Sequence, residues 1–147
     1  MFVSAAFAAG WLGSIAVSAG LPTWYSGLSK PGFMPPVAVF GVVWTVLYVL
    51  MGIAAWLVWL EPASVARNST LMAYFGQLAL NAGWAWAFFG AQSTGLGLLV
   101  IAVLFALVAV MVITSLAVSR PAAILFLPNL AWSGLVVVLN TVIFFLN

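Results

Sequence analysis

Few side chains in this 147-residue sequence can do chemistry. It has no His, Cys or Asp, and its only carboxylate, Glu61, stands just before Pro62. These absences exclude a Ser–His–Asp hydrolase, paired-carboxylate catalysis and a conventional zinc site. A haem would find no His or Cys axial ligand. A proton-coupled transporter usually holds a buried ionisable group, and no apolar stretch here contains one. No catalytic or metal-ligating set is therefore assigned, and no cofactor is required. What remains is rings and amides.

Successive helical residues turn by roughly 100°. Gln77, Asn81, Trp84 and Phe88 therefore share one helical face, an amide pair beside two rings. Polar side chains at membrane depth are expensive and turn toward the protein interior. Trp44 and Tyr48 pair at i, i+4 in a second segment. Asn129, Trp132 and Asn140 lie in a third, where Pro128 frees a backbone carbonyl. Any one aromatic packs in a core or faces lipid by default, and Gln77 and Asn81 can simply bond neighbouring helices. Three segments that each offer rings and polar groups point instead to a shared pocket for a large, flat, apolar ligand. Another face of the Gln77 segment, turned by roughly 130°, carries Gly76, Ala79, Gly83, Ala87 and Gly90. Such a stripe permits close helix packing, either inside the chain or across a dimer.

The elements that position these groups follow from charge. Hydrophobic residues make up 67% and charged residues 3%, against roughly 45–50% and 25% in soluble domains. Four charges cannot cover a soluble surface, and the composition is the opposite of a disordered one. The solvent is a lipid bilayer. A formal charge of +2 gives no reason to expect nucleic acid.

Lys30, Glu61, Arg67 and Arg120 cut the sequence into uncharged runs 1–29, 31–60, 62–66, 68–119 and 121–147. At about 20 apolar residues per span, these runs hold five helices, with two in the run 68–119. The expected fold is an all-α, multi-pass integral membrane protein. It is one five-helix transmembrane domain over 1–147, with helices near 2–21, 37–60, 69–90, 94–118 and 121–146. Asn68 or Ser69 is expected to cap the third helix and Ser93 or Thr94 the fourth. Pro121 suits the start of the fifth, and Pro128 predicts a kink.

Segment 22–36 carries Pro22, Gly27, Pro31, Gly32, Pro35 and Pro36, so it cannot be helical throughout. It also holds Trp24, Tyr25 and Phe33, which predicts a structured loop packed over the bundle or at the membrane interface. Arg67 and Arg120 share the N-terminal side against Lys30 alone, a two-to-one bias toward a cytoplasmic N-terminus that rests on one residue. The first segment lacks a basic leader region and reads as a span, not a cleaved signal. Without cysteine there is no disulfide.

These residues resemble the TspO/MBR family, the tryptophan-rich sensory proteins of bacteria and the mitochondrial translocator protein. The resemblance rests on Trp24-Tyr25-Ser26-Gly27-Leu28-Ser29-Lys30-Pro31 with Pro35-Pro36, and on Trp44-Thr45-Val46-Leu47-Tyr48 with Met51-Gly52. It continues through Gln77-Leu78-Ala79-Leu80-Asn81, Trp84 and Phe88-Phe89-Gly90, then Leu127-Pro128, Trp132 and Leu139-Asn140. It covers nearly the whole chain and suggests a bacterial-type member. It implies a five-helix bundle, usually a homodimer, with the first loop as a lid over a ligand cavity. It implies tetrapyrrole ligands such as protoporphyrin, and synthetic isoquinolines and benzodiazepines. By that similarity Trp24 and Tyr25 lie on the lid side, and Trp44, Tyr48, Asn81, Trp84 and Trp132 line the cavity, with Gln77 a weaker member. Lys30, Pro31, Pro35 and Pro36 would shape the loop.

The sequence also departs from the family pattern. Phe33 stands where the family often has Trp, and Asn129 where it often has Tyr; the second change adds an amide at depth. The sterol-recognition pattern of mammalian members needs Tyr and a basic residue after the fifth helix, and neither is present, which argues against sterol binding. The expectation is a membrane tetrapyrrole-binding sensor or regulator. The alternatives are light-dependent porphyrin degradation and transport of porphyrin or another lipophile.

Overall fold

The computed structural model describes residues 1–147. It contains α1 (Phe2–Gly20), α2 (Val37–Leu60), α3 (Val65–Ala85), α4 (Thr94–Leu116) and α5 (Arg120–Leu146). A 3-10 turn at Tyr25–Gly27 sits in the first loop, and a π-helical turn, Trp86–Gly90, prolongs α3.

The boundaries have local causes. α2 begins after Pro36, whose carbonyl accepts from the Val39 N–H at 2.9 Å. It ends at an extended Glu61, the conformation favoured before proline. Ser93 caps α4 by accepting from the Leu96 N–H at 3.2 Å. Pro121 lies in the first turn of α5, where a missing N–H costs nothing. The helix then runs through Pro128 without a break.

The start of α3 differs from expectation. The cap is Ser64, whose Oγ accepts from the Arg67 N–H at 3.1 Å, not Asn68 or Ser69. The Asn68-Ser69-Thr70 stretch lies inside the helix. The cause is Arg67, which from the first turn of α3 reaches back to α2. Its guanidinium donates to the Trp59 carbonyl at 3.0 Å and lies 4.6 Å from the Trp59 ring centroid. A cation at the carboxyl end of a helix is stabilised by the helix dipole.

Around the bundle the helices follow the order α1, α2, α5, α4, α3 and back to α1. Four of them, α1, α2, α4 and α5, are long and apolar enough to cross a membrane. α3 falls short because it carries Arg67, Asn68, Ser69, Thr70, Gln77 and Asn81. Of these, Thr70, Gln77 and Asn81 are buried in the bundle.

Glycine sets how closely α1 and α2 approach. A Cβ on Gly52 would lie 2.6 Å from the Val3 Cα, so near Phe2 the two helices meet backbone to side. A Cβ on Gly10 would run into the Tyr48 ring, 2.9 Å from its Cζ, so further along an aromatic stands between them. The bundle is tight at one end and holds a cavity at the other.

Candidate ligand-binding cavity

The cavity has a volume of about 410 Å³, within the ~300–1,000 Å³ of small-molecule sites. α1, α2, α3, the π turn, α5 and the first loop wall it, and α4 contributes nothing. Trp44 and Tyr48 come from α2, Asn81 and Trp84 from α3, Phe88 and Phe89 from the π turn, Asn140 from α5, and Tyr25 and Met34 from the loop.

The rings form a connected wall. Trp44 stacks on Tyr48 at 5.8 Å between centroids and 25° between planes. Trp84 lies 6.5 Å from Trp44 and stacks on Phe88 at 6.1 Å and 23°. Offset and edge-on ring pairs of this kind contribute about 0.5–1.5 kcal/mol beyond their buried area.

The amides supply direction. The Tyr48 hydroxyl donates to Asn81 Oδ1 at 2.9 Å. That bond turns the Asn81 amide so that its Nδ2 has no acceptor. The Trp84 indole N–H donates to Asn140 Oδ1 at 3.2 Å, and Asn140 Nδ2 donates to the Val136 carbonyl at 2.9 Å. One buried donor beside the cavity is therefore unsatisfied, which costs about 1–3 kcal/mol. The nitrogen has almost no accessible surface, so a ligand carbonyl or carboxylate that reached it by shifting a neighbouring side chain would offset that cost.

The loop 22–36 closes the end of the cavity. Lys30 Nζ donates to the Tyr25 and Leu28 carbonyls at 2.7 and 2.8 Å and sits 4.6 Å from the Tyr25 ring centroid. Pro31 is buried, and its carbonyl accepts from the Met34 N–H at 3.0 Å. Asn147, at the end of α5, brackets Ser29: its Oδ1 accepts from the Ser29 N–H at 2.9 Å and its Nδ2 donates to the Ser29 carbonyl at 3.0 Å. Tyr25 is buried against Phe89 at 5.4 Å. Burial pushes its phenol above the usual tyrosine value. The ring is therefore neutral below that value, and its packing weakens only as pH rises past it.

Of the residues expected at the site, Tyr25, Trp44, Tyr48, Asn81, Trp84 and Phe88 come together around the cavity. Three do not reach it. Trp24 packs edge-on behind Phe88 at 5.1 Å. Gln77 lies one turn below Asn81, fully buried, with its Nε2 3.4 Å from the Met51 sulfur. Trp132 packs edge-on against Phe40 at 5.3 Å and lines instead an open apolar groove of about 510 Å³ between α2 and α5. Helical phase does not separate it: Trp132 shares the stripe of Val136, Leu139 and Ile143, which line the cavity, but lies about one turn nearer the start of α5 and packs against Phe40, itself a lining residue. Asn129 is buried but also outside the cavity.

Other lining residues were not expected. In the sequence Asn140 reads only as a polar group of its helix. Phe89 escapes periodicity because the π turn lets two successive rings, Phe88 and Phe89, both point inward. Phe7, Trp11 and Ser14 line the cavity from α1. That helix carries no charge or amide to mark an inward face.

The small-residue stripe of α3 divides. A Cβ on Gly76 would touch Leu107 of α4 at 3.2 Å, and one on Gly90 would press on Trp86 and approach Ala16 of α1. Ala87 is half-buried between them. Ala79 is exposed, and Gly83 has open space where a side chain would go.

Residues 2–146 match the sequence profile of the TspO/MBR family. The chain belongs to the TspO/MBR family. It is 36% identical over 145 residues to the tryptophan-rich protein TspO of Archaeoglobus fulgidus, covering 99% of this chain and 94% of that one. It is 40% identical over 119 residues to the human translocator protein, covering 80% and 70%. It is 37% identical over 118 residues to the tryptophan-rich sensory protein of Cereibacter sphaeroides, covering 80% and 72%. As a TspO/MBR member with four long apolar helices, it is a membrane protein.

Proposed function

We propose that this TspO/MBR protein is a membrane sensor or regulator that binds a tetrapyrrole by ring stacking and an amide contact. All five helices cross the bilayer in this reading. α3 can do so because its polar side chains are turned inward, while Met72, Phe75, Ala79 and Trp86 form its outer face. The single observation that carries the binding reading is the wall of Trp44, Tyr48 and Trp84 beside the unpartnered Asn81 Nδ2. Flat rings suit a macrocycle face, and the free donor suits a carbonyl or carboxylate at its edge.

The test is titration of the purified protein with metal-free protoporphyrin, followed by tryptophan quenching. Saturable quenching is expected, weakened in Trp44→Ala and in Asn81→Ala. Unchanged affinity in both variants would overturn the site. Synthetic isoquinolines are expected to compete. The open Ala79–Gly83 face of α3 supports a homodimer contact, and Gly83→Leu is expected to shift the purified protein toward monomer.

A second reading, light-dependent consumption of the bound porphyrin, is favoured by one observation. Ring contacts run without a break from Trp44 through Trp84 and Phe88 to Trp24. Illumination of the complex in air tests it. Loss of porphyrin absorbance no faster than with a non-binding tryptophan-rich protein would remove this reading.

A further inference from the structure

The cavity is closed where its family resemblance would open it, and open where that resemblance is silent. At the loop end, Tyr25 is buried and the chain is held by Lys30 and by the Asn147 bracket on Ser29. Every lining residue from α3, the π turn and α5 is also buried. The lining residues that are exposed on the outside of the molecule are Phe7, Trp11 and Ser14 of α1 and Val37, Gly41 and Thr45 of α2. They form the two lips of one seam.

The seam has a physical origin. Near Phe2 the backbone of Val3 lies against Gly52 and closes it. One ring further on, Tyr48 fills the space beside Gly10. Beyond Tyr48 nothing fills it: a Cβ on Gly41 would meet no atom within 4 Å. The lip hydroxyls present no free donor, because Ser14 Oγ donates to the Trp11 carbonyl at 2.7 Å and Thr45 Oγ1 to the Gly41 carbonyl at 2.8 Å. A flat lipophile sliding past them leaves no hydrogen bond broken, and the exposed Trp11 ring, 66% accessible, offers it a first stacking surface at the lip.

We propose that the cavity exchanges its ligand directly with the bilayer interior, through this lateral portal between α1 and α2, while the loop stays shut. The proposal rests on the tetrapyrrole-binding reading. A ligand of this class partitions into hydrocarbon, so the portal lies on its path without a passage through water.

The experiment uses the full chain in vesicles preloaded with metal-free protoporphyrin, with the approach to quenching followed by stopped flow. Gly41→Phe and Ser14→Trp put bulk on opposite lips, and Asn147→Ala releases the loop. The expected result is that each lip variant slows association and dissociation together by about tenfold, with the equilibrium constant moved less than about threefold. Asn147→Ala leaves both rates unchanged. Wild-type rates in both lip variants, or tenfold faster exchange in Asn147→Ala, would overturn the portal. If one lip variant fails to fold, the other decides. Absence of saturable quenching in the wild type is a different failure: it removes the binding reading, and the portal with it.

Discussion

The two ends of the bundle use the same residue types to opposite effect. At the Phe2 end, rings and polar groups close on each other. Tyr74 donates its hydroxyl to the Phe2 carbonyl at 2.8 Å, Phe2 packs edge-on against the Tyr74 ring at 5.9 Å, and Thr70 bonds Thr114 at 2.8 Å. At the loop end, Trp44, Tyr48, Trp84 and Phe88 stand around a void and Asn81 keeps a donor spare. What differs is how near α1 approaches. Gly52 admits the α1 backbone, so the rings there have no space to enclose. Tyr48 holds α1 off at Gly10, and the rings beyond it line a cavity.

The largest effect should come from breaking that contrast at its source. Gly52→Leu drives a side chain into the Val3 backbone and is expected to cost roughly 3 kcal/mol. Gly41→Leu, into open space on the same helix, should stay within about 0.5 kcal/mol. Thermal unfolding in detergent measures both, and equal losses would contradict the account of α1 packing.

Next come the two tyrosines. Tyr74→Phe removes a satisfied bond of the closed end, so stability should fall by about 1–2 kcal/mol with porphyrin affinity unchanged. Tyr48→Phe releases the Asn81 amide, so affinity should also fall, by roughly fivefold or about 1 kcal/mol. Unfolding and titration on the same preparations separate the two outcomes.

The two tryptophans make a finer comparison. Trp44→Ala is expected to weaken porphyrin binding by about tenfold, and Trp132→Ala, one ring removed behind Phe40, by less than about threefold. The reverse order would return Trp132 to the site. The smallest effect is expected at the loop. Asn147→Ala should speed hydrogen exchange around Ser29 by roughly fivefold, since only a solvent-exposed bond pair worth about 1 kcal/mol is lost.

Much of this was legible in the sequence, for physical reasons. Four charges in an apolar chain mark where helices must end, and only Arg67 misled, because it belongs to the first turn of α3 and pins the end of α2. Asn81, Trp84 and Phe88 were readable because buried amides in lipid betray the inward face of a helix. α1 offered no such marker, so Phe7, Trp11 and Ser14 stayed hidden. On α5 one amide, Asn140, reaches the cavity and the other, Asn129, does not. Trp132 shares the phase of the lining residues Val136, Leu139 and Ile143 but sits about one turn short of them. Phe89 required knowledge of a π turn. That turn depends on tertiary packing: a side chain on Gly20 would press on the Phe89 carbon, 3.1 Å away, and one on Gly97 on Phe88 at 2.9 Å.

The central claim is that the loop-end cavity holds a flat ligand. A crystal structure of the protein with metal-free protoporphyrin tests it most directly. The account predicts the macrocycle against Trp44 and Trp84, with an oxygen within hydrogen-bond distance of Asn81 Nδ2. Ligand density in the α2–α5 groove beside Pro128 and Trp132, with the cavity unchanged, would contradict it.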